Sequence, residues 1–155
     1  MRAEIRISTV GPDATRRVGE KLGSDTRPGD VVLLSGELGA GKTVFVQGVA
    51  RGMGYDGQVS SKSFVIMGEY TGRVKLYHAD LYRLEEPEQV EDLGLGEITE
   101  DGVLIVEWPE RGDWALPRGD VDVKFEVRSE NERVVTMTAR TPRGGALLDA
   151  VRGTA

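Results

Sequence analysis

The segment Val31-Val32-Leu33-Leu34-Ser35-Gly36-Glu37-Leu38-Gly39-Ala40-Gly41-Lys42-Thr43 constrains this chain more than any other. Four consecutive apolar residues, introduced by Pro28-Gly29 and Asp30, suit a strand covered on both faces. The glycine-rich stretch that follows cannot continue that strand. From about Thr43 to Met53, Phe45, Val46, Val49, Ala50 and Met53 then recur at helical spacing, with Gly54 as terminator. A buried strand that passes through a glycine loop into an amphipathic helix belongs in an α/β domain. Gly36–Thr43 also satisfies G-x-x-x-x-G-K-[ST]. A chain that wraps a polyphosphate needs Gly36, Gly39 and Gly41 where side chains would block approach or φ must be positive. Its N–H groups point inward, and the following helix adds the positive end of its dipole. Glu37, Leu38, Gly39 and Ala40 are thus expected to form the cradle, with Gly41, Lys42, Thr43 and Val44 closing it at the helix start. Lys42 can reach the β- and γ-phosphates of a nucleoside triphosphate, and the Thr43 hydroxyl can bind Mg²⁺.

Composition narrows the remaining chemistry. The 155 residues contain no Cys, which excludes disulfides, thiolate zinc sites and cysteine nucleophiles. His78 is the one histidine, so a multi-histidine metal site cannot form within one chain, and any serine triad would have to use it. The length suits one domain that buries roughly 70% of the surface its unfolded chain exposes. The formal net charge of −6 argues against generic nucleic-acid binding, although 15 of the 20 cationic residues are Arg and leave room for a local basic patch. No apolar run approaches the roughly 18 residues of a membrane span and no basic-then-apolar leader opens the chain, so a cytoplasmic location is expected.

The rest reads as a mixed, partly parallel sheet flanked by helices. Ala3–Ile7 alternates as a short strand, and Asp13 is expected to cap a helix with Ala14, Val18 and Leu22 inward. Phe64–Tyr70 and Arg73–Tyr77 read as strands joined at Thr71-Gly72. Leu84–Leu93 is polar and helical in character, with Pro87 in its first turn. Val103–Val106 is a second continuous apolar strand, and Asp120–Arg128 with Arg133–Arg140 form a hairpin around Glu130-Asn131. The expected organisation is a P-loop domain over residues 1–142 and a weakly ordered tail over 143–155.

Mg²⁺ favours oxygen ligands and waters held by carboxylates, so acids are expected near the loop. Glu107 ends the run Val103–Val106 and would face the loop if that strand is parallel to Val31–Leu34. Asp80 follows the strand through Leu76. One of these acids is expected in the metal shell and the other beside the attacking water, and the sequence leaves open which. His78 reads as structural, positioning Asp80. Trp108 reads as packing or as a stacking partner for a base. Ser60, Ser61 and Ser63 form a candidate segment for contact with the γ-phosphate.

Taken together, Gly36–Thr43 as G-E-L-G-A-G-K-T, His78–Arg83 as H-A-D-L-Y-R and Val106–Glu110 as V-E-W-P-E resemble the TsaE (YjeE) family, the ATPase component of bacterial threonylcarbamoyladenosine synthesis on tRNA. The resemblance covers most of residues 10–140. It implies a small P-loop fold, ATP and Mg²⁺ as ligands, and a complex with the TsaD transferase and TsaB that ATP hydrolysis resets between rounds. In that complex tRNA is reached indirectly. It also implies Lys42 and Thr43 as phosphate and Mg²⁺ residues, Asp80 and Glu107 as the essential acids, and Trp108 as the family tryptophan. The family switch segment V-x-S-P-T-F stands here as Val59-Ser60-Ser61-Lys62-Ser63-Phe64: Lys62 replaces Pro, and Ser63 keeps a hydroxyl. The rival reading is a small-molecule or nucleoside kinase, which needs an acceptor pocket and an Arg-bearing lid; Arg83–Gly96 is the best place for one. A GTP switch is disfavoured because no N-K-x-D element occurs.

Overall fold

A computed structural model describes residues 3–37, 40–59 and 67–153. Among them, seven strands form one sheet: β1 (Glu4–Val10), β2 (Val31–Ser35), β3 (Met67–Thr71), β4 (Lys75–Asp80), β5 (Gly102–Glu107), β6 (Val121–Val127) and β7 (Glu132–Ala139). Their spatial order is β1-β7-β6-β2-β5-β4-β3. β6, β2, β5 and β4 run parallel; on one side β7 pairs antiparallel with β6 and β1 antiparallel with β7, and on the other β3 pairs antiparallel with β4. Helices α1 (Pro12–Gly23), α2 (Lys42–Gly52), α3 (Pro87–Glu91), α4 (Leu95–Ile98) and α5 (Pro142–Gly153) flank this sheet.

The unbroken apolar runs are explained by burial on both faces. Along β5, Val103 and Ile105 join Val32 and Leu34 under Phe45, Val46 and Val49 of α2. Leu104 and Val106 point the other way, into a smaller core with Leu81, Leu84, Val90 and Leu95. The two-faced core fixes β2 and β5 as central strands, and their C-terminal ends carry the loop and Glu107.

The helix pair α1–α2 sits unusually close because glycines line both partners. A Cβ added at Gly48 would lie 2.0 Å from the Arg16 carbonyl oxygen, and one at Gly19 would lie 2.3 Å from that of Phe45. Gly23 and Gly52 meet the backbone of the opposite helix in the same way. Gly48→Ala is therefore expected to destabilise the chain by about 3 kcal/mol, the upper part of the overpacking range, because rigid backbone has to yield. Thermal denaturation should show a drop on the order of 10 °C. An unchanged midpoint would refute this account of the helix crossing.

Three expectations need correction. Asp13 is not the cap of α1: Gly11 holds that position, and Asp13 lies in the first turn paired with Arg16 at 2.5 Å. Pro12, with its helical φ preset and no N–H to satisfy, starts the helix earlier. As far as Gly153, the expected weakly ordered tail over 143–155 is instead helix α5, which buries Leu147, Leu148 and Val151 against the main core, while 154 and 155 lie outside the described residues. Third, the polar stretch Leu84–Leu93 contracts to α3, capped by the reciprocal Glu86–Gln89 box. The expected strand start at Phe64 lies outside the described residues, as do Leu38, Gly39, Ser60, Ser61, Lys62 and Ser63.

Candidate functional site

Parallel strands deliver their C-terminal ends to one side of a sheet, and ligands bind in the crevice beyond those ends. Here Leu34 of β2 is in register with Glu107 of β5, and Glu107 with Asp80 of β4. The glycine loop, Glu107 and Asp80 therefore share one crevice, even though Asp80 and the loop are separated by an intervening strand.

Backbone geometry makes the loop possible. Gly36 has φ 142°, and a Cβ there would lie 2.8 Å from the Phe125 carbonyl oxygen of β6. Gly41 caps α2 in the left-handed conformation at φ 102°. Ala40 donates its N–H to the Glu37 carbonyl at 3.1 Å, which closes the turn; Ala40 is buried and Glu37 exposed.

Lys42 folds back over this turn. Its Nζ donates to the Gly36 carbonyl at 2.8 Å and lies 4.1 Å from the centre of the Trp108 ring. The residue is only 5% exposed. Burial pushes its ammonium below the ordinary lysine range, opposed by the nearby charges of Glu107, Asp80 and Glu110. The arrangement is a desolvated cation held by one carbonyl and one aromatic face, without an ion pair among the described residues.

Trp108 adopts φ 60°, ψ 51°, a left-handed conformation that a bulky residue rarely takes. Pro109 behind it disfavours the right-handed α region. The resulting sharp exit from β5 places the indole between Lys42 and the Tyr82 ring, whose centroid is 5.0 Å away. Backbone strain of this kind costs roughly 1–3 kcal/mol, and it persists only where surrounding contacts over-determine it.

The two acids differ in surroundings. Asp80 Oδ1 accepts the Tyr82 N–H at 3.0 Å. Burial raises its carboxyl above the ordinary aspartate value; Tyr82 N–H opposes this, Glu107 adds to it, and His78 and Lys42 oppose it. Glu107 is 5% exposed, and its Oε2 lies 2.5 Å from His78 Nε2. His78 thus contacts Glu107, not Asp80 as the sequence reading expected.

Thr43 is half-buried in the first turn of α2 and lines a recess with Arg16 and Gln47. Gly41 and Val44 line a separate recess of about 250 Å³ together with Gly11, Thr15, Asn131 and Arg133. The sequence reading missed the latter group. Glu130-Asn131 signals only a hairpin turn, and nothing local shows that the order β1-β7-β6-β2 carries that turn beside the loop. Gly11 N–H donates to the Asn131 carbonyl at 2.8 Å and ties the turn down. Among the described residues, no group of three or more His, Asp or Glu is arranged to hold a metal ion unaided. No helix among them is long and apolar enough to cross a membrane.

Known proteins share the sequence pattern and the fold of this chain. Residues 9–135 match the family model for the threonylcarbamoyl adenosine biosynthesis protein TsaE. The tRNA threonylcarbamoyladenosine biosynthesis protein TsaE of Bacillus subtilis is 38% identical over 138 residues, spanning 88% of this chain and 86% of that protein. The protein of the same name from Treponema pallidum is 39% identical over 134 residues, spanning 86% of this chain and 99% of the relative. The crystal structure of YdiB from Bacillus subtilis superposes with a TM-score of 0.84 at 33% identity, covering 99% of this chain and 97% of that one. A P-loop NTPase-like fold, the three motif segments in their expected order and these relatives lead to one assignment: the chain belongs to the TsaE family.

Proposed function

We propose that this protein binds ATP with Mg²⁺ and hydrolyses it as the accessory subunit of the assembly that makes threonylcarbamoyladenosine in tRNA. Its partners in this reading are a TsaD-like transferase and a TsaB-like subunit, with hydrolysis resetting the transferase. tRNA is met through the complex. One observation carries the chemical part: the strand register gathers Lys42, Glu107 and Asp80 at the mouth of the glycine loop.

The residues present fit a magnesium nucleotide. Lys42 is a buried cation whose only hydrogen bond among the described residues is to a loop carbonyl, a contact that a phosphate oxygen can replace with a gain in charge. The absence of a three-residue acidic cage among the described residues suits Mg²⁺, which takes one or two protein carboxylates and completes its shell with phosphate oxygens and water. Thr43 and Glu107 would hold the ion, since β5 is the strand directly beside the loop strand. Mg²⁺ there would neutralise charge developing on the phosphates.

Asp80, one strand further out and biased by burial toward protonation, is assigned to the attacking water. Val44 and the recess beside Gly41 would receive the nucleoside, and Trp108 would hold Lys42 in place between turnovers. The kinase alternative finds little support. Arg83–Gly96, the stretch best able to supply a lid, packs Leu84, Val90 and Leu95 into the core on the far face of the sheet.

The test is phosphate release from Mg²⁺-ATP by the chain alone and with TsaD-like and TsaB-like proteins added. Slow release alone and at least about tenfold faster release in the mixture is expected, equivalent to roughly 1.4 kcal/mol of barrier. No release under either condition would overturn the proposal. Transfer of the γ-phosphoryl group to a small acceptor would favour the kinase.

A further inference from the structure

We infer that His78 is a positioning residue for Glu107: it holds one carboxylate oxygen so that the other is presented to the divalent cation and the carboxylate is kept off Lys42. This inference rests on the magnesium nucleotide reading of the site and adds a residue to it.

The geometry begins with strand register. His78 pairs with Ile105 and Asp80 with Glu107, so His78 and Glu107 are diagonal neighbours across the β4–β5 ladder. Residues two apart on a strand share a face, and a diagonal pair is within reach when one side chain is long. His78 Nε2 reaches Glu107 Oε2 at 2.5 Å. Oε2 is a carboxylate oxygen, so Nε2–H donates. Among the described residues, Oε1 of Glu107 has no protein donor.

A merely structural histidine would be expected to satisfy both ring nitrogens. His78 is 2% exposed, yet its Nδ1 is buried without a hydrogen-bond partner among the described residues. Its single polar bond among the described residues is the one to Glu107, and an apolar residue would fill the same space without leaving Nδ1 orphaned. The polarity of this residue is therefore explained by what it does to Glu107.

The alternative fate of Glu107 explains why holding it matters. Lys42 feels the Glu107 charge, yet the two form no ion pair; Lys42 bonds to Gly36 instead. Released from His78, the carboxylate would be drawn toward the ammonium in a poorly solvated site. Such a pair would engage both the phosphate-binding cation and the cation-binding acid.

The experiment measures ATP binding by calorimetry in EDTA and across a Mg²⁺ titration, with turnover alongside, for wild type, His78→Leu, His78→Gln and Glu107→Ala. His78→Leu should raise the half-saturating Mg²⁺ concentration about 10–100-fold, the usual cost of losing a partner that orients a metal ligand. Because the released carboxylate would also engage Lys42, affinity in EDTA should fall as well, but by a smaller factor than the Mg²⁺ requirement rises. His78→Gln, whose amide nitrogen can replace Nε2, should restore most of the loss. In the Glu107→Ala background, His78→Leu should change Mg²⁺ dependence by less than about twofold, since its effect runs through the absent carboxylate. If His78→Leu does not fold, His78→Asn, an amide too short to span the gap, takes its place in the same comparisons. An unchanged Mg²⁺ requirement, or an equal shift with and without Glu107, would overturn the inference. A wild-type chain that binds ATP equally in EDTA and Mg²⁺ would instead overturn the metal reading beneath it.

Discussion

Lys42→Met is expected to abolish the thermal stabilisation conferred by Mg²⁺-ATP while leaving the melting temperature of the ligand-free protein within a few degrees of wild type. The two halves of this result have different causes. Without ligand, the substitution removes one hydrogen bond to Gly36 and a cation–π contact, each worth about 1 kcal/mol. It also removes a cation that burial disfavours, which offsets the loss. With ligand at about 100 times its Kd, wild type should gain about 2.7 kcal/mol, a rise of roughly 5–10 °C for a chain of this size. Losing the only cation described within the loop should weaken triphosphate binding about 100-fold or more, so the variant should show almost none of that rise. A retained shift would mean that the main-chain cradle alone binds the nucleotide.

The pH dependence of the ligand-free protein supplies a second check on Lys42. Its pKa is lowered in the folded state, so the cost of burying the ammonium is fully present at pH below the folded value. As pH rises from the folded value toward 10.5, the unfolded chain retains a proton that the folded chain has lost, and stability rises. Wild type should therefore gain stability relative to Lys42→Met across that alkaline window. Denaturant midpoints for the two proteins at matched pH would measure it.

The parts of this molecule that the sequence disclosed are those whose signal is local. Val31–Leu34 and Val103–Val106 are apolar at every position because both sheet faces are covered, and such a run needs no knowledge of partners to be read. Placing Glu107 at a strand end followed from the same run. The missed features depend on distant chain. α5 has only Leu147, Leu148 and Val151 as strong apolar anchors, and the pair Gly144-Gly145 in its first turn lowers its helical propensity. At Gly144 that weakness reflects tertiary fit: a Cβ there would lie 1.9 Å from the Asp120 carbonyl oxygen. Glycine at this position reads as disorder in the sequence and as close packing in the fold. The partner of His78 was misassigned for a similar reason. Asp80 is its near neighbour in the chain, but strand register puts the Glu107 carboxylate within hydrogen-bond reach.

Glu107→Ala is expected to cut ATP turnover in the assembled complex by about 100–1,000-fold, the range seen when one preorganised electrostatic partner of a transition state is lost. Asp80→Asn should also reduce turnover strongly, by about 100-fold or more if Asp80 acts on the water. The two variants separate by what else changes. Glu107→Ala should raise the Mg²⁺ requirement, because β5 adjoins the loop strand and Glu107 is the acid assigned to the ion. Asp80→Asn should leave that requirement near wild type while lowering kcat, and Asn can still accept the Tyr82 N–H. Stability gives an independent distinction. The Asp80 pKa is raised on folding, so between the unfolded and folded values the native state holds more protons, and stability falls as pH rises through that window. Above the folded value the burial cost is fully present, and there Asp80→Asn should be the more stable protein even as it turns over more slowly. A gain in stability paired with a loss of rate is the signature of a carboxylate kept in an unfavourable place for its chemistry. Normal turnover by both variants would remove the two acids from the mechanism, and a raised Mg²⁺ requirement in Asp80→Asn alone would exchange their roles.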